Sequence, residues 1–194
     1  VGTDYPPAPE RAASQPQSRS SLRTADFLID PREAAVDARA LYEDRWMFHG
    51  PAYRGVERLG PIADNGICGR LKVTEGQGAI LDNMGQLAGY WVMEQDANCL
   101  AMPINVGSVS FFGADPAVGA TFECCVEVKR LDDDSCLSDL RLLDDEGRTR
   151  VAMEGWQTRR YPMDRDFFLR TKQVESRLVC EELAFHLVAA DRRI

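Results

Sequence analysis

Residues 80–93 read ILDNMGQLAGYWVM, and this stretch decides the fold. Its apolar side chains recur at spacings of three and four, at Ile80, Leu81, Met84, Leu87, Ala88, Trp91 and Val92. This spacing predicts an α-helix with a wide apolar face, beginning within a few residues of Leu81. A face this wide is typical of a central buried helix. We therefore expect Met84, Trp91 and Met93 to lie in the core or to line a tunnel.

Strand-like patterns lie on both sides of this helix. Before it, VERLG and ICGRLKV are separated by PIADNG, whose Asn65-Gly66 pair indicates a hairpin. After it, strands are predicted near residues 100–112, 119–131, 136–143 and 148–161. One long helix among antiparallel strands predicts an α+β fold, in which a curved antiparallel sheet wraps a long central helix. This is the hotdog arrangement.

The domain organisation follows from changes in composition. Residues 1–30 are rich in Pro, Ser, Ala and Arg, which predicts a flexible linker. Residues 31–165 hold the predicted hotdog domain. Residues 166–194 form a C-terminal extension that we expect to be helical, because Val179, Leu183 and Leu187 recur at helical spacing.

Charge and cysteine usage exclude several function classes. Lys and Arg total 23 against 31 Asp and Glu, and the net charge of -8 argues against nucleic acid as a partner. No stretch reaches the ~18 apolar residues that span a membrane. The 6 cysteines form no CxxC pair and there are only 2 histidines. We therefore expect no metal, no disulfide and a cytoplasmic location.

Three motifs in a fixed order carry a family resemblance. They are FHGPAYRGV at 48–56, LDNMGQ at 81–86 and LAMPINVGSVSFFG at 100–113. Together they resemble the C-terminal hotdog half of a polyketide synthase dehydratase domain, over about residues 37–161. The amino-acid sequence of these segments is most similar to that of iterative type I synthases of the enediyne and polyene kind.

The resemblance implies roles for particular residues. Asp82 would be the catalytic acid that protonates or orients the departing hydroxyl, and Gln86, one helical turn on, would fix the carboxyl rotamer. The substrate would be bound by His49, Gly50, Pro51 and Tyr53. We expect burial to raise the pKa of Asp82 by more than the helix dipole lowers it. A helix N-cap is the structural alternative for Asp82.

Departures from the family pattern bear on the mechanism. His49 stands where the family usually has tyrosine, and Gln77-Gly78 stand where it often has His-Pro. The family's catalytic base is a histidine in an HxxxGxxxxP motif on the other hotdog, and these 194 residues contain no such motif. The resemblance therefore implies half of an active site. The base would come from an N-terminal hotdog half or from another hotdog subunit.

The implied function is dehydration of 3-hydroxyacyl thioesters to 2-enoyl products in polyketide biosynthesis. The substrate would be carried on the phosphopantetheine of acyl carrier protein, with no further cofactor. Because carrier proteins are acidic, docking would need a basic patch such as Arg159-Arg160 or Arg192-Arg193. Two alternatives remain. One is a stand-alone hotdog acyl thioesterase with its site across a homodimer, and the other is a non-catalytic hotdog that binds the acyl chain.

Overall fold

The computed structural model describes residues 26–164, which form one antiparallel sheet and two α-helices. In chain order the elements are α1 Ala38–Glu43, a 3-10 turn Pro51–Tyr53, β1 Val56–Ala63, β2 Gly66–Lys72, α2 Ala79–Gln95, β3 Cys99–Asn105, β4 Ser108–Phe111, β5 Thr121–Leu131, β6 Ser135–Leu143 and β7 Thr149–Pro162. The sheet order is β1-β2-β5-β6-β7-β3, and β4 also pairs with β7. The predicted hotdog fold is confirmed.

The long helix α2 packs against the sheet as its apolar pattern predicts. It begins at Ala79, close to the expected start near Leu81. Met84, Leu87 and Trp91 are almost completely buried. The Trp91 indole nitrogen donates to the backbone oxygen of Ala63 at 2.8 Å. The apolar face of α2 therefore supplies the centre of the core, and its first turn is held in a fixed place over the sheet.

The four strands expected after α2 are present, with one difference. The run predicted near residues 100–112 is divided into β3 and β4 by Val106 and Gly107. The amide of Gly107 donates to the backbone oxygen of Glu154 at 3.0 Å. A Cβ at Gly107 would also lie 3.7 Å from the Cα of Gly155, whose φ of +67° favours glycine. The division therefore lies where two backbones approach closely.

The two outer edges of the sheet differ. On β1, Arg32 and Ile62 exchange backbone hydrogen bonds of 2.8 and 2.9 Å, so part of that edge is paired. The Arg32 side chain also forms an ion pair with Glu94 of α2. Along the opposite edge, β3 and β4 have no further strand beside them within residues 26–164. Exposed apolar side chains follow this second edge at Ile104, Val106, Val109 and Phe111.

The remaining structural predictions concern the ends of the chain and the cysteines. The short helix α1 begins after Asp37, whose side chain accepts from the Ala40 amide at 2.8 Å. Leu28, inside the segment predicted as a linker, is buried. Residues 1–25 and the predicted extension 166–194 lie outside the described residues. The cysteines described by the structure are buried thiols, at positions 68, 99, 124, 125 and 136, and the Sγ atoms of Cys68 and Cys125 lie 3.3 Å apart, within hydrogen-bond distance.

Two glycine substitutions test how closely α2 packs on the sheet. A Cβ at Gly69 in β2 would lie 2.6 Å from the Arg58 backbone oxygen and 3.0 Å from a Leu87 methyl carbon. We expect Gly69→Ala to lower the free energy of unfolding by about 1–3 kcal/mol, because this contact is with backbone. Urea denaturation measures the change.

The matched control is Gly89→Ala on α2 itself. There a Cβ would lie 3.3 Å from the terminal methyl carbon of Met47, which is flexible. Because alanine is the better helix former by about 1 kcal/mol, we expect Gly89→Ala to be neutral or stabilising. Equal stability of the Gly69→Ala protein and the wild type would contradict the close packing.

Candidate active site

Asp82 lies inside the first turn of α2. The residue at the N-cap position is Gly78, with φ of +72°, and no side chain caps the helix. The Asp82 amide donates to the Gly78 backbone oxygen at 3.2 Å, which is a bond within the helix. The N-cap alternative for Asp82 is therefore wrong. Its carboxyl is free to interact with residues outside the helix backbone.

Gln86 connects Asp82 to the rest of the site. Its side chain is 3% exposed, and its Nε2 donates to Asp82 Oδ2 at 2.7 Å. The same nitrogen lies 2.8 Å from the Tyr53 backbone oxygen and 3.1 Å from Asn83 Oδ1. The other end of the amide, Oε1, accepts from the Tyr42 hydroxyl at 2.9 Å. These partners fix the amide orientation, with nitrogen toward the carboxylate.

Tyr42 extends this network to the sheet. Its hydroxyl accepts from the Val56 amide at 3.1 Å, and the Arg54 guanidinium lies 5.5 Å from the centre of its ring. Burial raises the pKa of Tyr42 to about 12, although the Val56 amide and the Arg54 charge act in the opposite direction. The hydroxyl is therefore protonated at neutral pH, as its hydrogen bond to Gln86 requires.

The loop at residues 48–55, which contains Gly50 and Pro51 and is called the Gly-Pro loop below, brings His49 to the same carboxyl. His49 Nε2 lies 3.4 Å from Asp82 Oδ2. The loop is held by two backbone contacts: Arg54 Nε donates to the His49 oxygen at 2.7 Å, and the Tyr53 amide donates to the Gly50 oxygen at 2.9 Å. Gly50 and Pro51 are exposed and shape the turn. The structure thus places the predicted residues of the loop and of α2 in one region.

The pKa of Asp82 moves in the opposite direction to the one expected. Burial raises it, but hydrogen bonds from His49 and Gln86, with the electrostatic effect of His49, lower it further than burial raises it. The pKa therefore lies below the ordinary value of 3.8. The expectation that desolvation would dominate is wrong because the side chain remains 39% exposed and has two nitrogen partners. Asp82 is a carboxylate at neutral pH.

Asn83 and Gly55 also belong to this region, and sequence reasoning missed both. Asn83 is completely buried, and its Oδ1 accepts from the Gly55 amide at 3.1 Å. A Cβ at Gly55 would lie 2.1 Å from Asn83 Nδ2 and 2.5 Å from the Lys72 backbone oxygen. Gly55 therefore allows the loop to approach the helix start. The available signal was an asparagine inside the apolar pattern of α2, where burial requires hydrogen-bond partners.

The described residues show two further features. No group of three or more His, Cys, Asp or Glu side chains in residues 26–164 is arranged to hold a metal ion. Within the same range no helix is long and apolar enough to cross a membrane. The chemistry of the region described above rests on one carboxylate, one imidazole and neutral hydrogen-bonding groups.

The fold and this arrangement define a hotdog protein with a carboxylate at the start of its central helix. A family model described as "Polyketide synthase dehydratase N-terminal domain" matches residues 28–166. The chain therefore belongs to the polyketide synthase dehydratase family. The description names the N-terminal domain, so the match does not confirm the predicted C-terminal half.

Solved structures of dehydratase domains share the fold at low sequence identity. The dehydratase domain from the CurJ module of the curacin polyketide synthase is 15% identical, with a TM-score of 0.54 over 66% of this chain and 50% of that chain. A trans-AT polyketide synthase dehydratase domain from Brevibacillus brevis is 16% identical, with a TM-score of 0.55 over 70% of this chain and 50% of that chain. This chain thus spans about half the length of these structures. No curated protein matches it significantly.

Replacement of Gln86 tests the network around Asp82. We expect Gln86→Leu to lower the free energy of unfolding by about 1–3 kcal/mol, because the Tyr42 hydroxyl and the Tyr53 backbone oxygen lose a buried partner. The pKa of Asp82 should rise, since one of the hydrogen bonds that lower it is removed. Urea denaturation and carbon-13 NMR of the Asp82 carboxyl measure these two effects.

Gln95→Leu, on the same helix, is the matched control. Gln95 Nε2 is buried without a hydrogen-bond partner in the described part of the chain. Its replacement by leucine should therefore be neutral or stabilising. If both variants had the same stability, the hydrogen bonds of Gln86 would contribute nothing to the fold.

Proposed function

We propose that the chain is the C-terminal hotdog half of a polyketide synthase dehydratase. The observation that carries this proposal is the convergence of Asp82, Gln86 and His49 at the start of α2. Membership of the polyketide synthase dehydratase family supports the dehydratase part of this proposal. The absence of an HxxxGxxxxP histidine from the sequence also supports it, because such a half would need its base from elsewhere. The segments FHGPAYRGV and LDNMGQ favour an iterative type I synthase of the enediyne or polyene kind.

The proposed reaction converts a 3-hydroxyacyl thioester to a 2-enoyl thioester and water. A base in the N-terminal hotdog half removes the C2 proton, the C2–C3 double bond forms and the C3–O bond breaks. The departing hydroxyl must receive a proton to leave as water. Protonated Asp82 donates its proton to this hydroxyl, so that water leaves and Asp82 becomes a carboxylate, while the C2 proton stays on the base. As the other half covers the site, loss of solvent raises the pKa of Asp82 and favours its service as the acid.

The open edge of the sheet is the proposed place for the other half. In the described part of the chain, β3 and β4 have exposed apolar side chains and no strand beside them, and an edge of this kind is suited to pairing with another sheet. Packed residues also connect the edge to α2. Gly107, between β3 and β4, contacts Gly155, and the next residue, Trp156, packs against Gly85 of α2. Gly85 lies one turn from Asp82, so a series of packed residues joins this edge to the helix turn that holds the carboxylate.

Acyl carrier protein is the proposed carrier of the substrate. Of the two predicted basic patches, Arg192-Arg193 lies outside the described residues. Arg160 is turned inward, donating to the Asp132 backbone oxygen at 2.7 Å and lying 3.3 Å from Asp96. Arg159 is half-exposed but lies 3.8 Å from Asp134. A docking surface at this pair would therefore depend on Arg159 alone.

The cysteine usage supports a cytoplasmic location.

Thioester hydrolysis is the second candidate function. It is favoured by one observation: Asp82 is a partly exposed carboxylate with a lowered pKa, and a carboxylate in this state can activate water. Such an enzyme would act without an upstream half, with two copies of this chain paired at the open edge. A non-catalytic hotdog that binds the acyl chain would show neither reaction.

Activity of the joined halves tests the proposed function. We expect this chain alone to dehydrate no 3-hydroxyacyl thioester, and the chain joined to the upstream half of the same synthase to do so. Asp82→Asn in the joined protein should lower kcat by about 10²–10⁴-fold, because it removes a proton-transfer group. Asp133→Asn, in the exposed turn between β5 and β6, is the control. Chromatography of enoyl and free-acid products measures both reactions.

Each other result selects a different function. Hydrolysis by the isolated chain, lost in Asp82→Asn, would support the thioesterase. Full dehydration by the joined Asp82→Asn protein would show that Asp82 is structural.

A charged residue on the open edge tests whether the other hotdog half pairs there. Val109→Lys in β4 places a charge among the apolar side chains of the edge, and we expect it to weaken association with a separately expressed upstream half. Val118→Lys, at a loop residue that is 65% exposed, is the control and should leave association unchanged. Analytical ultracentrifugation measures both. Equal affinity of the two variants would place the partner elsewhere, and loss of self-association alone would indicate a homodimer.

A further inference from the structure

Both nitrogen partners of the Asp82 carboxyl approach the same oxygen. Gln86 Nε2 donates to Oδ2 at 2.7 Å, and His49 Nε2 lies 3.4 Å from Oδ2. Within residues 26–164 the structure places no hydrogen-bond donor on the other oxygen, Oδ1. The side chain is 39% exposed. One carboxylate oxygen is therefore held by protein, whereas the other has no protein donor among the described residues.

The His49 ring has a defined orientation. Its Nδ1 is buried and has no hydrogen-bond partner among the described residues. A proton on Nδ1 would be a buried donor without an acceptor, which is the costly arrangement. The tautomer with its proton on Nε2 instead directs that proton toward Asp82. The ring also stacks on Phe48, with centroids 5.1 Å apart and planes 13° from parallel.

We propose that His49 is a positioning residue that, together with Gln86, anchors Oδ2 of Asp82 and leaves Oδ1 as the oxygen that meets the substrate hydroxyl. The part that concerns the substrate rests on the proposed function. The anchoring part does not, because it concerns contacts within this chain. The low pKa of Asp82 agrees with two donors on one oxygen.

Gln86 and His49 hold Oδ2 of Asp82 in different ways. Gln86 makes the shorter contact and is fixed by Tyr42 and Tyr53, so it sets the position of the carboxyl. The 3.4 Å contact of His49 is longer than most N–H···O hydrogen bonds, but it brings a second nitrogen to the same carboxylate oxygen. The other titratable or charged groups near the carboxyl are Tyr42, which is protonated at neutral pH, and Arg54 beyond it.

The anchoring is tested on the full chain by carbon-13 NMR titration of the Asp82 carboxyl. His49→Phe keeps an aromatic ring on Phe48 but removes the donor, so we expect the pKa of Asp82 to rise. His49→Gln is the matched control: it keeps an N–H donor near the Nε2 position but lacks the electrostatic effect of the imidazole, so the pKa of Asp82 should lie between those of His49→Phe and the wild type. His49→Leu is a second variant that removes the donor, in case His49→Phe does not fold. An unchanged Asp82 titration in both variants without a donor would overturn the proposal.

The positioning role is tested in the chain joined to its upstream half. Loss of a hydrogen bond to a charged group should lower kcat of His49→Phe by about 10- to 100-fold, with KM little changed. His49→Gln should recover most of this loss, which a purely structural effect of ring volume would not predict. The pH dependence of kcat should shift upward in His49→Phe, in the same direction as the NMR titration.

The two proposals fail in different ways. If the NMR titration shifts as expected but the joined wild-type protein dehydrates no substrate, the anchoring stands and the dehydratase function fails. If the joined protein is active and His49→Phe retains full kcat, the positioning role of His49 is overturned and the dehydratase function stands.

Discussion

The site depends on the hydrogen bonds of one buried carboxamide, that of Gln86. An amide in the core must find partners for both of its ends, because an unsatisfied buried polar group is costly. Gln86 finds them on three separate segments of the chain: α2 through Asp82, the Gly-Pro loop through Tyr53, and α1 through Tyr42. The position of the loop and the orientation of the carboxylate are therefore set together. Gly55 permits this by allowing the loop backbone to reach Asn83.

The periodicity of the apolar residues was sufficient to predict the fold, because the helices and strands of this chain follow their local sequence patterns. The apolar spacing of α2 depends on neighbouring residues only, and so does the alternation of Phe122, Cys124 and Val126 in β5. Both patterns predict the observed elements. The division of one strand at Gly107 was not predictable, since it arises from contact with Gly155, 48 positions along the chain. The two glycines meet only when β7 is folded beside β3.

The site was predicted in part, for a similar reason. Asp82 and Gln86 are one helical turn apart, so their hydrogen bond follows from helix geometry. Tyr42 could not be found in this way, because its hydroxyl meets an amide 44 positions away. The predicted direction of the Asp82 pKa shift was also wrong, because the shift depends on how far the carboxyl is exposed and on which donors reach it. In the folded chain two donors outweigh a burial that is incomplete.

Asp82 is partly exposed, and no strand lies beside β3 and β4 within residues 26–164. In the proposed function both features have one explanation, which is that another hotdog half completes the site. The most direct test is a crystal structure of the joined halves with a non-reactive 3-hydroxyacyl thioester analogue. The C3 hydroxyl oxygen should lie about 2.6–3.2 Å from Oδ1 of Asp82, with a histidine of the other half on the C2 side. A bound analogue with its hydroxyl away from Asp82, or a second half placed on the β1 edge, would contradict the split active site.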